Sequence, residues 1–161
     1  MAWNQKLLEL SRNVLEPYVG WYLKNHRNRV KSWDMAVGKD DTDNKIDLFI
    51  DTVDGKHCPV QVKTRNIDSP NYTLASKDII DSQENRVFAF IDKTFDEETI
   101  NTMHSMPIND AKRLMINEMP KVFIGSQIEI KDGIETGIIK LKYNKDKLPY
   151  YLIPNTILTL V

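Results

Sequence analysis

Residues 46–64 read IDLFIDTVDGKHCPVQVKT, and this stretch decides the fold. Two runs rich in β-branched and aromatic residues, 46–53 and 57–64, flank Asp54-Gly55. Such residues fit a pleated surface, and an Asp-Gly pair accepts the backbone angles of a tight turn, so the pattern predicts an antiparallel hairpin. A three-residue connection, Asp54 to Lys56, sets Val53 opposite His57. Counting back places Phe49 opposite Gln61 and Asp47 opposite Lys63. Side chains two apart share a face, so Asp47, Gln61 and Lys63 all point the same way. In that register the Asp47 and Lys63 Cβ atoms lie within about 5 Å. A two-residue loop would slip the pairing and separate them.

Outward from the hairpin, residues 4–24 carry Leu7, Leu10, Val14, Tyr18 and Trp21 at helical spacing. Pro17 lacks a backbone donor and predicts a kink or restart there. Residues 29–37 read as a strand and 38–44 as a polar loop. Downstream, 72–84 reads as a loop leading into a short helix, 86–92 as a strand, and 109–119 as a helix stopped by Pro120. Residues 122–130 and 136–143 read as strands across a turn at Asp132-Gly133, and 150–161 as an apolar, β-rich tail. Strands alternating with helices predict an α/β domain with a central mixed sheet flanked by helices. A chain of 161 residues is the size of one domain and can bury a core without disulfides.

Composition narrows the function. The apolar fraction of 41% and charged fraction of 28% are those of a globular protein. Cys58 stands alone, so it reads as a small strand side chain, and with three histidines it makes no zinc-ligand spacing. No apolar run reaches the roughly 18 residues that span a bilayer, and the first ten residues lack a signal-peptide core. The expected location is therefore cytoplasmic, away from membranes. Net charge is −1, which argues against strong nonspecific grip on nucleic acid. The charge is uneven, however. Lys24, Arg27, Arg29 and Lys31 crowd around His26, while Asp40, Asp41 and Asp43 and the 92–98 segment are acidic. A basic stripe beside an acidic cluster suits phosphates near a metal. A solvated helix end explains the stripe equally well.

The hairpin trio has a definite chemistry. A carboxylate and an amide oxygen are hard ligands suited to Mg²⁺ or Mn²⁺. Such an ion polarises a phosphodiester oxygen and lowers the pKa of a bound water. An adjacent lysine ammonium orients that water or stabilises the charge on phosphorus. Cross-strand ion pairing at a sheet surface is the plain alternative for Asp47 and Lys63.

Asp47 followed by Gln61-Val62-Lys63, within KIDLFIDTVDGKHCPVQVKTR (45–65), resembles the PD-(D/E)xK nuclease superfamily in its QxK variant. The text is similar to the core hairpin of Holliday-junction-resolvase-like, Mrr-like and antiviral-defence nucleases. The resemblance covers roughly residues 5–92 and leaves 93–161 as an extension. It implies a restriction-endonuclease-like core and Mg²⁺-dependent cleavage of DNA, less often RNA, with Mn²⁺ as substitute. Asp47 would be the principal metal ligand, Gln61 would fill the usual acidic position, the Val62 carbonyl would be a further ligand, and Lys63 would be the catalytic lysine. No proline directly precedes Asp47; Ile46 stands there, as in many members, and Gln61 carries no charge. Families with glutamine here often place an acidic residue on the first helix. Glu9 and Glu16 are the candidates, Glu16 having the better spacing although Pro17 follows it. Lys24, Arg27, Arg29, Lys31 and Arg65 are the candidate nucleic-acid contacts, and a homodimer would bring two sites to two strands.

Two other functions fit the same letters: a nucleic-acid-binding module that keeps the fold without cleavage, and a structural or inhibitory protein whose hairpin only mimics the motif. Glu129-Ile130-Lys131 also reads ExK but is better explained as an edge hairpin. His57 lies near the turn and reads as structural. Trp33, Tyr72 and the methionines at 103, 106, 115 and 119 read as packing groups.

Overall fold

A computed structural model describes residues 3–38, 46–66, 71–75, 87–126 and 138–142. The chain begins with a helical rod: α1 (Trp3–Leu10), a π-helical turn (Ser11–Leu15) and α2 (Glu16–His26). The residues flanking the π turn, Leu10 and Glu16, keep helical backbone angles, and a new α-helix starts at Glu16 with Pro17 in its first turn, one of the two outcomes expected there. The cause is Pro17. Its ring would crowd the carbonyl four residues back and it has no N–H to give. The backbone widens one turn earlier instead, and the Glu16 N–H donates to the Ser11 carbonyl, five residues back.

The strands are β1 (Val30–Met35), β2 (Leu48–Thr52), β3 (His57–Asn66), β4 (Asn71–Ala75), β5 (Val87–Phe95), β6 (Val122–Ser126) and β7 (Ile138–Lys142). Five of them form one sheet in the order β1-β2-β3-β5-β6. β3 and β5 run parallel and the other neighbours antiparallel, so the sheet is mixed, as the sequence pattern required. Helices α3 (Glu97–Ser105) and α4 (Ile108–Glu118) follow β5. The rod and these two helices pack on the sheet face that carries Leu48, Ile50, Cys58, Val60, Ala89 and Ile91. Each of the buried Leu, Ile and Val side chains among these contributes about 1.5–3 kcal/mol of transfer free energy. On the other face Phe88 and Phe90 are also fully buried. No helix among the described residues is long and apolar enough to cross a membrane.

Four expectations need correction or completion. The β2–β3 register pairs Asp51 with His57 and Leu48 with Val60, two residues from the expected pairing. The turn is built differently: Thr52 N–H donates to the Lys56 carbonyl at 2.9 Å, and the Thr52 hydroxyl accepts the Lys56 N–H at 3.0 Å and donates to Asp54. The connection is thus Val53 to Gly55, one residue earlier. The 72–84 segment begins as strand β4, and its remainder lies outside the described residues. β6 does not pair with β7; β6 joins β5, and β7 pairs with β4 in a separate two-stranded sheet. Finally, α3 was read only as an acidic cluster. Its N-cap is Asp96, whose side chain accepts the Thr99 N–H, and Ile100 and Met103 form its buried stripe. The 129–131 and 150–161 segments lie outside the described residues.

Candidate active site

Asp47 sits at the entrance to β2. Its N–H donates to the Val60 carbonyl at 2.9 Å, and its own carbonyl accepts the Ala36 N–H at 3.0 Å. Its carboxylate Oδ2 accepts the Val62 N–H at 2.7 Å. A side chain thus satisfies a strand donor at the point where β2 has not yet begun. One step beyond the Leu48–Val60 pair puts Asp47 across from Gln61, not Lys63. The two-residue correction preserves alternation, so Gln61 and Lys63 still share a face, and Lys63 falls diagonally from Asp47.

Gln61 is 6% exposed, and its Oε1 has no hydrogen-bond partner among the described residues. Gln61 lies beside Phe88 and Lys63 beside Phe90 in the parallel β3–β5 ladder. Lys63 and Val62 are half-buried. Gln61 Oε1 is an amide oxygen held out of water beside Phe88 with no donor among the described residues, which is rare for a buried polar atom.

Glu16 is 8% exposed, and its Oε1 lies 3.6 Å from Arg12 Nη1. Arg12 Nη2 donates to the Ala36 carbonyl at 2.6 Å, and the Ala36 N–H donates to Asp47. Glu16 therefore connects to Asp47 through Arg12 and Ala36. Glu9 lies on the same rod, one helical turn before Arg12, and contacts α3. It is exposed, and its Oε2 lies 2.6 Å from His104 Nε2 on α3.

The basic stripe is also elsewhere. Val30 pairs with Thr52, and the Val53 N–H donates to the Arg29 carbonyl at 2.8 Å, so Lys24, Arg27, Arg29 and Lys31 gather at the hairpin-turn end. Six strand residues separate that end from Asp47, about 20 Å. Arg29 is paired with Asp54 at 2.8 Å. Burial lowers the Arg27 guanidinium below its ordinary pKa. The stripe thus does not flank the trio, because the short α2–β1 turn ties it to the far end. Arg65, on β3, does lie toward the trio's end, across from Thr94. His57 stays at the turn, its Nδ1 2.6 Å from Asp51 and its ring stacked on Phe49 at 4.4 Å.

Asp92 entered the sequence reading only within the acidic 92–98 segment, not as a site residue. Alternation along β5 puts it on the Phe88–Phe90 face, running toward the same end as Lys63. A bulge lies there: β3 advances from Lys63 to Arg65 while β5 advances from Phe90 to Thr94. Asp92 is half-buried, and its N–H donates to the Lys121 carbonyl at 2.8 Å. The available signal was a lone carboxylate closing the apolar run VFAFI (87–91).

Among the described residues no three His, Cys, Asp or Glu side chains cluster as a metal site. A hard cation here would draw on Asp47, the Gln61 amide oxygen, backbone carbonyl and water. Comparison with protein-family models, curated proteins and solved structures finds no match for this chain. It is an α/β protein whose mixed five-stranded sheet carries flanking helices.

Proposed function

We propose that this protein is a divalent-cation-dependent phosphodiesterase, an endonuclease acting on DNA, on a restriction-endonuclease-like version of the α/β fold. The observation that carries the reading is the buried Gln61 Oε1, without a hydrogen-bond partner among the described residues, one step along β3 from Val60 as Asp47 is one step before Leu48. A buried acceptor left unsatisfied costs about 1–3 kcal/mol, and a Mg²⁺ or Mn²⁺ ion is a partner that removes the cost. Asp47, Gln61 and the Val62 carbonyl would hold that ion. It would supply Lewis acidity toward a phosphate oxygen and a more acidic water.

The chain's own residues then divide the work. Val62 N–H fixes the Asp47 carboxylate through Oδ2. Lys63 offers an ammonium on the Gln61 face, suited to orient the attacking water and neutralise charge gathering on phosphorus. Glu16 is a positioning residue: it holds Arg12, which holds Ala36, whose N–H holds the Asp47 backbone. Arg65, further along β3, would be a phosphate contact. The basic end, about 20 Å off, would meet the duplex about six base pairs away, at roughly 3.4 Å per pair. A homodimer would present two such sites to two strands, in a cytoplasmic setting.

Cleavage of duplex and single-stranded DNA with Mg²⁺, lost in Asp47→Ala and Lys63→Ala, tests the reading. Wild-type-like cleavage by both variants contradicts it. A second reading, a nucleic-acid-binding module without cleavage, is favoured by the thin carboxylate set around Asp47. It predicts DNA binding in EDTA and no product with any divalent ion.

A further inference from the structure

A cleft of about 190 Å³ opens on the helix side of the molecule, between α2, the edge strand β1 and α4. Pro17, Tyr18, Trp21, Trp33, Ile116 and Lys112 are among its lining residues. Three of its seven lining residues, Tyr18, Trp21 and Trp33, are aromatic. Tyr18 and Trp21 stack with centroids 5.9 Å apart and planes inclined by 29°. Trp33 lies flat on the α2 backbone: a Cβ at Gly20 would come within 2.3 Å of Trp33 Cδ2. The absence of a side chain at Gly20 therefore fixes the indole, and its remaining surface is turned to the cleft. Tyr18 is fastened too, its hydroxyl donating to the Pro120 carbonyl.

Lys112 is the one charged side chain at this cleft. It is half-buried and makes no ion pair or hydrogen bond among the described residues. Two other half-buried lysines are tied: Lys93 pairs with Glu118, and Lys6 donates to Asn101. A preformed aromatic slot with an unpaired ammonium at its rim is complementary to a ring that carries a negative group. We propose that this cleft binds a planar aromatic anion of nucleotide size, the ring against Trp21 and Trp33 and the anionic group on Lys112. The site is separate from Asp47 and Gln61, and it rests on no assumption about cleavage.

Tryptophan fluorescence reads the ring directly, since two of the three tryptophans line the cleft. The full chain is titrated in EDTA with adenosine 5′-monophosphate, adenosine, ribose 5-phosphate and indole-3-carboxylate. Adenosine 5′-monophosphate should quench saturably, adenosine more weakly, and ribose 5-phosphate not at all. Lys112→Gln should weaken the monophosphate about tenfold, the worth of one charge-assisted contact, and leave adenosine unchanged. Ile116→Glu, at a position already 36% exposed, sets a carboxylate at the mouth and should abolish anion binding while far-UV dichroism is preserved. Stronger binding of indole-3-carboxylate than of the nucleotide would support the aromatic anion and identify a carboxylate source. Absence of saturable quenching by either anion, or equal loss of adenosine and its monophosphate in Lys112→Gln, overturns the proposal.

Discussion

Asp47 and Val62 are joined by a 2.7 Å hydrogen bond from backbone N–H to carboxylate, which ties the entrance of β2 to the middle of β3. The bond gives Asp47 a structural load besides any chemical one. A hydrogen bond to a charged acceptor contributes about 1.5–3 kcal/mol, and removing the acceptor strands the donor. Asp47→Ala should therefore lower unfolding free energy by about 1–3 kcal/mol in urea titration. Asp47→Asn keeps an acceptor oxygen and should lose less.

Gln61 predicts the opposite behaviour. Its buried Oε1 has no partner among the described residues, so an apolar side chain of similar size relieves a desolvation cost. Gln61→Leu should hold or raise Tm while removing divalent-cation binding and cleavage. A site residue whose loss stabilises the fold marks strain kept for function. A large drop in Tm would mean that Gln61 is an ordinary structural residue.

Gly20→Ala tests the packing of Trp33. The added Cβ would meet the indole at 2.3 Å, so ring or helix must move. Overpacking of this kind costs about 1–3 kcal/mol. Thermal denaturation should show the loss, with a shift in tryptophan emission.

Asp96 sets an acid-sensitive element at the start of α3. Its side-chain contact with Thr99, foremost, holds the carboxyl below its ordinary value of 3.8. Its folded pKa is depressed, so its contribution is complete above pH 3.8 and is lost as pH falls through the folded value. Asp96→Ala should lower Tm by a constant amount at neutral pH, and the two proteins should converge in acid below about 3.8.

Residues around the hairpin explain how much was legible. The pair Asp54-Gly55 announced the turn, and Gly55 does adopt positive φ, at 86°. The residue missed was Thr52, whose hydroxyl closes the turn from inside the strand and moves the pairing by two residues. An even shift keeps every side chain on its face, which is why Asp47 stayed on the face of Gln61 and Lys63 although its partner changed. The place of the basic stripe was not legible, because it depends on which sheet end receives α2, a tertiary fact. Asp92 was hidden for the same reason: parallel pairing with β3 brings it to that end, and periodicity within one strand cannot show a neighbour. Helix α3 was legible in principle from Asp96 and the Ile100–Met103 spacing.

The most direct test is a crystal of the protein soaked in Mn²⁺ and measured at the manganese edge. An anomalous peak within about 2.1 Å of the Asp47 carboxylate and Gln61 Oε1, absent in Gln61→Leu, is the predicted result. Manganese bound elsewhere, or Gln61 Oε1 bonded to a protein donor in those crystals, would contradict it.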